Sequence, residues 1–134
     1  MTKDKMTEIK SRKINRKPDQ IGRNPQSGYN VQATLWIEKN GELYLGGGRV
    51  ILLENIDKLG SISAAARSMG LGYRNAWLWI DAMNRLAPSP LVEKAKGGAG
   101  GGFARLTPEG YKALKHYKKL RDQLESSLSM LKTE

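Results

Sequence analysis

Three consecutive residues, Tyr73, Arg74 and Asn75, and three cations around a glycine run, Lys94, Lys96 and Arg105, are the groups whose types and spacing suit a chemical task. The run is KGGAGGG at residues 96–102, five glycines in seven positions. Such a stretch could cradle a phosphate, hinge two domains or form the tip of a hairpin. A phosphate loop needs lysine and then a hydroxyl residue after its last glycine, the lysine to reach the β- and γ-phosphates and the hydroxyl to hold magnesium. Here Phe103 and Ala104 follow Gly102. The dinucleotide pattern G-x-G-x-x-G fails at its last position, where Gly98-Ala99-Gly100 leads to Phe103, and it would have to open a helix.

Catalytic chemistry has little support. There is no cysteine, and the one histidine, His116, lies in KALKHYKKL, the pattern of a solvated helix face. Glu38 and Glu42 flank a turn, Glu54 and Asp57 share a helix surface, and no H-E-x-x-H or D-x-D cluster marks a metal site. The chain is therefore expected not to be an enzyme and to carry no cofactor or metal.

The elements that position these groups follow from periodicity. VQATLWIEKNGELYLG alternates β-formers on both sides of Asn40-Gly41, which predicts strands over about residues 32–38 and 42–45 joined by a tight turn. Gly46, Gly47 and Gly48 end this hairpin, and RVILLENIDKLG predicts a first helix with Leu52, Leu53, Ile56 and Leu59 on one face and Gly60 as its stop. SISAAARSMGLGYRNAWLWIDAMNRLA splits at Gly70-Leu71-Gly72 into two short helices, a helix-turn-helix pattern. Ser61 or Ser63 caps the first. In the second, Ala76, Trp79, Ile80, Met83 and Leu86 face the core, while Tyr73, Arg74 and Asn75 occupy an exposed first turn. Trp77 is open between three roles: sealing the core, stacking on a sugar-phosphate backbone, or lying under the neighbouring hairpin.

LVEKAK and FARLT read as two strands with the glycine run as their flexible tip, Gly97, Gly98, Gly100, Gly101 and Gly102. Thr107 caps a final helix with Pro108 at its first position, and Leu114, Tyr117, Leu124, Leu128 and Leu131 keep a near-heptad spacing. That stripe is expected to pack against a second copy.

A helix with a polar first turn beside a slender, basic hairpin has a mechanical meaning on duplex DNA. The helix fits the major groove, and its N-terminal side chains reach base edges or the adjacent backbone. An arginine such as Arg74 can bond guanine O6 and N7 together, whereas Lys94, Lys96 and Arg105 would meet phosphates, and Arg67 and Ser63 on the preceding helix are also expected at the DNA. The bulk charge agrees: 23 Lys and Arg oppose 13 Asp and Glu, a formal net charge of +10, which favours a polyanionic partner. Residues 1–30 carry half of it, eight basic against three acidic, on a polar stretch without periodicity that reads as a disordered basic tail, either solubilising or phosphate-contacting. No run approaches the ~18 apolar residues of a membrane span, the N-terminus lacks the apolar segment of a signal peptide, and no helix suits an acidic membrane surface. A cytoplasmic protein with no membrane partner is expected.

GSISAAARSMGLGYRNAWLWIDAMN followed by LVEKAKGGAGGGFARLTPEG resembles the N-terminal DNA-binding domain of ModE-type molybdate-responsive transcription regulators and, more distantly, the winged helix-turn-helix of LysR-type regulators. The resemblance spans roughly residues 43–131 and rests on the SISxAA start, Tyr73, Arg74, Ala76 and Trp77, the Met83-Asn84 pair, and the glycine-rich wing leading into L-T. It implies a fold that is mainly α with small β elements, a winged helix-turn-helix over residues 31–134 with an N-terminal β-hairpin and a long C-terminal dimerisation helix. It also implies a homodimer on a near-palindromic operator of double-stranded DNA. The family senses molybdate with a C-terminal pair of small β-barrels; this chain is expected to lack them and to take no molybdate. The alternative function is a winged-helix protein-interaction module without specific DNA binding.

Overall fold

A computed structural model describes residues 20–21, 30–95 and 103–131 of the chain. In it Asn40 and Gly41 both take positive φ, 51° and 82°, as the tight turn of a two-residue hairpin demands. Around them β3 (Ile37–Lys39) and β4 (Glu42–Leu45) run antiparallel, with Lys39 opposite Glu42. The first strand of this hairpin was expected to be continuous from about residue 32, and it is not. Ala33–Thr34 form a separate strand, β2, which pairs antiparallel with β1 (Gln20–Ile21) instead of with β4. Residues 31–38 still alternate between half-buried and exposed, as a strand lying on a core does. The expectation of a tail without structure over residues 1–30 is corrected at β1, whose only sequence cue is one isoleucine; residues 1–19 and 22–29 lie outside the described residues.

Helix α1 (Gly47–Leu59) begins two residues before Arg49, inside the glycines expected to end the hairpin. A side chain at Gly48 would stand 3.2 Å from the Trp79 ring, so glycine there lets α1 approach a later helix. Val50, Leu52, Leu53 and Ile56 are buried, but Leu59, expected on the same face, is 48% exposed at the helix's last position. Gly60 closes α1 in the left-handed region, φ 70°, with its N–H bonded to the Ile56 carbonyl.

Ser61, not Ser63, caps α2 (Ile62–Ser68): its Oγ accepts from the Ala64 N–H at 3.1 Å. Ala65 and Ala66 are buried where α2 packs on α1, and Asn55 Nδ2 donates across to the Ala65 carbonyl and to Ser68 Oγ. After a turn through Gly70, φ 69°, α3 (Tyr73–Leu86) buries Ala76, Ile80, Met83 and Leu86 as its spacing predicts, with Trp79 half-buried beside them.

β5 (Val92–Lys94) and β6 (Ala104–Leu106) form the second hairpin, Val92 opposite Leu106 and Lys94 opposite Ala104. The segment before α2 joins it: Ser61 bridges Phe103, and the Ala104 N–H donates to the Gly60 carbonyl at 3.1 Å. The hairpin is thereby seated on the helix-turn-helix. Helix α4 (Pro108–Leu128) starts directly beneath it, with Thr107 Oγ1 accepting from the Gly110 N–H at 3.0 Å. It packs on α1, β1 and β6. The whole is an α+β fold of winged-helix type, its core shared by the faces of α1–α3, the first turns of α4 and the two hairpins.

Candidate nucleic-acid interface

With about 100° of rotation per residue, Arg74, Leu78, Asp81 and Arg85 fall within an arc of about 60° on the side of α3 opposite Ala76, Ile80 and Met83. All four are exposed, as are Tyr73 and Asn75, so the first turn presents the polar groups that the sequence predicts. Its N-cap is Gly72, and no side chain bonds the first N–H groups of the helix. Those donors and the positive end of the helix dipole suit a phosphate.

The second hairpin is fastened to the same helix at two residues. Asn84, in the last turn of α3, accepts through Oδ1 from the Leu91 and Val92 N–H groups at 2.8 and 3.1 Å and donates through Nδ2 to the Val92 carbonyl at 3.2 Å. An amide side chain carries both an acceptor and a donor, so it can satisfy a strand's backbone in place of a neighbouring strand. Trp77 makes the second link. It is half-buried against the core, meets Tyr73 edge to face at 6.4 Å between centroids, and lies under Lys94, whose Nζ is 5.4 Å from its ring centroid. Of its three open roles, Trp77 takes two at once: it closes the core and underlies the wing.

The remaining expected contacts are placed less uniformly. Arg67 is exposed on α2, and its Nη1 is 3.5 Å from Ser63 Oγ, the limit of a hydrogen bond. Arg105, expected to meet a phosphate, donates through Nε to Glu93 Oε2 at 2.8 Å on the opposed strand position. Both partners are exposed, so the pair adds little stability, but Glu93 offsets the charge that Arg105 would offer a phosphate. Lys96 and the tip glycines Gly97, Gly98, Gly100, Gly101 and Gly102 lie outside the described residues.

Behind the interface, the first hairpin braces the far end of α3. Arg85 forms a two-pronged pair with Glu42, and Lys39 Nζ donates to the Leu86 carbonyl at 3.3 Å, capping the helix C-terminus. Arg49 sits beneath, 8% exposed, with Nη1 donating to the Leu43 and Tyr44 carbonyls and its guanidinium 5.9 Å from the Trp79 ring centroid. Burial lowers its pKa to about 10. Sequence reasoning missed Arg49, whose signal was a lone cation between three glycines and an apolar run. It also gave Asn84 no role beyond its part in a motif.

The residues expected to form a dimer stripe divide. Tyr117 and Leu128 are buried within the single chain, and the Tyr117 hydroxyl donates to the Leu35 carbonyl at 2.9 Å. They are corrected as free contacts for a second copy, since the strand segment before the first hairpin already covers Tyr117. Leu114 and Leu124 are half-buried and Leu131 is exposed. His116 lies on the exposed face of α4. Among the described residues no group of His, Asp or Glu could hold a metal ion, and no helix is long and apolar enough to cross a membrane.

No protein-family model matches the chain. Curated relatives do. The chain is 45% identical over 93 residues to the molybdenum-pterin-binding protein MopB of Rhodobacter capsulatus, covering 64% of this chain and 34% of that protein. It is 42% identical over 87 residues to the molybdenum transport protein ModE of Azotobacter vinelandii, 65% of this chain and 32% of that one. It is 35% identical over 101 residues to the DNA-binding transcriptional dual regulator ModE of Escherichia coli K12, 75% and 38%. The chain thus spans about a third to two-fifths of the length of the curated relatives it matches. Their names carry molybdenum or regulation, which lends no support to the expectation that the chain takes no molybdate. Over the matched stretch, the chain is similar in sequence to ModE transcription regulators and to molybdenum-pterin-binding proteins.

Proposed function

We propose that the chain is a sequence-specific DNA-binding unit of a transcription regulator, acting as a homodimer on a near-palindromic operator. In this reading α3 enters the major groove with Tyr73, Arg74 and Asn75 at the base edges. Arg67, Lys94 and Lys96 meet phosphates on either side. The carrying observation is the attachment of the wing to the reading helix through Asn84 and Trp77. A protein that must hold a base-reading helix and a phosphate-reading hairpin in one register needs such a joint, because phosphate contacts fix the position from which bases are read. Resemblance to a protein named as a DNA-binding transcriptional regulator supports the same reading, as does the net charge of +10.

A second copy would pack on the half-buried Leu114 and Leu124 of α4 and on Leu131 just beyond its end. Two copies then place two α3 helices about one helical turn of DNA apart. Selection of bound sequences from a random duplex pool tests function and symmetry together. The expected outcome is an enriched motif with two-fold symmetry, and a pool that stays random after repeated rounds refutes the proposal.

A further inference from the structure

Leu78 is the one aliphatic side chain left exposed on α3, with 54% of its surface open. A single exposed leucine is ordinary on a protein surface, but two features set this one apart. It lies one turn beyond Arg74 and Asn75, within the arc that faces away from the core, and residues three and four apart on a helix are neighbours. Its companions on that arc, Arg74, Asp81 and Arg85, are all charged, so it belongs to no apolar cluster on its own helix. In the major groove the 5-methyl group of thymine is the apolar feature that base edges present, and an aliphatic side chain on the reading helix is its natural contact.

We infer that Leu78 is a specificity-determining residue that packs on the 5-methyl group of a thymine, close to the base read by Arg74. The inference rests on the DNA-binding reading above. Four residues of helix advance about 6 Å, so the thymine lies within about two base pairs of Arg74's base at the ~3.4 Å spacing of one strand. Asp81, three residues further on, ends the stretch in which the helix can approach a polyanion closely.

The test uses the full chain and the duplex selected from a random pool, remade with deoxyuridine at each thymine in turn. This substitution removes only the methyl group. Wild-type protein is expected to lose about fourfold in affinity at one thymine per half-site, the factor that burial of one methyl-sized group is worth. Leu78→Ala is expected to show a similar loss on the thymine duplex and no additional loss on the uracil duplex, with an unchanged melting temperature because the side chain is exposed. Wild-type binding that is indifferent to every methyl group overturns the inference, as does a Leu78→Ala variant that keeps the full uracil effect. Either result leaves the DNA-binding reading intact. A pool that yields no enriched sequence overturns that reading, and the inference with it.

Discussion

Replacing Asn84 with alanine should unfasten the wing, and the structure sets the size of the effect. The side chain satisfies three backbone groups, the N–H of Leu91 and both the N–H and carbonyl of Val92. Leu91 is fully buried and Val92 nearly so, so water does not readily replace what is lost. A typical hydrogen bond contributes ~1 kcal/mol net, whereas a buried group left without a partner costs ~1–3 kcal/mol. Three such groups give about 3 kcal/mol if the strand shifts far enough to find water, and more if it stays in place. Asn84→Asp is the informative companion: it keeps both acceptor bonds, but where Nδ2 donated it sets a carboxylate oxygen against the Val92 carbonyl, so it should cost more than the ~1 kcal/mol of the lost bond alone. Urea unfolding of the three proteins measures both numbers, with an unchanged m-value as the sign that the transition stays two-state. A loss for Asn84→Ala below about 0.5 kcal/mol, the range of ordinary surface substitutions, would refute the claim that this residue holds the hairpin.

Other expectations follow from single contacts. Gly110→Ala, in the first turn of α4, puts a methyl group 2.4 Å from the Leu91 carbonyl oxygen; it should destabilise by ~1–3 kcal/mol despite alanine's better helix propensity, and a raised melting temperature would contradict the contact. Ser61→Ala removes the α2 cap and should cost about 1 kcal/mol, with Ser63→Ala costing distinctly less; the reverse order in thermal unfolding would place the cap at Ser63. Arg74→Ala should narrow the affinity ratio between selected and scrambled duplex, while Lys94→Ala weakens both alike and lowers the salt slope. Equal, sequence-independent losses in fluorescence titrations would take Arg74 out of the reading role.

Much of this fold was legible because its signals are local. Asn40-Gly41, Gly60, Gly70 and Thr107-Pro108 each demand a backbone conformation that few alternatives satisfy, and each marks an element boundary in the structure. The exposed first turn of α3 followed from the spacing of Ala76, Ile80 and Met83 alone. Several of the misses depend on partners outside the local segment. β1 exists because Gln20–Ile21 find β2 some dozen residues away, and nothing in a two-residue strand announces its pairing. Leu128 and Tyr117 have the spacing of a dimer seam, yet a helix uses the same spacing to lie on its own core, and periodicity does not name the surface it meets. The pairing of Arg105 with Glu93 was likewise not foreseen, because the register that sets them opposite is a property of the hairpin, invisible until the strands are aligned.

The charge left on the interface separates affinity from specificity in a way that salt can measure. Arg85 is paired with Glu42 and Arg105 with Glu93, and Asp81 adds a negative charge to the outward arc of α3. Counting Arg67, Arg74, Lys94, Lys96 and Arg105 at their most generous, five cations per copy give a slope of log affinity against log salt of about −4.5, or about −9 for two copies. Residues 1–19 carry seven further cations, Lys3, Lys5, Lys10, Arg12, Lys13, Arg16 and Lys17. A slope steeper than about −9 must therefore draw on cations outside the helix-turn-helix and wing. If those cations are in residues 1–19, deleting this stretch, which spares β1, returns the slope to that range. The deletion should leave the selected motif unchanged, because contacts to phosphate carry no base information. A motif that shortens or broadens on deletion would show that the N-terminal stretch reads bases, and α3 would then no longer account for the specificity alone.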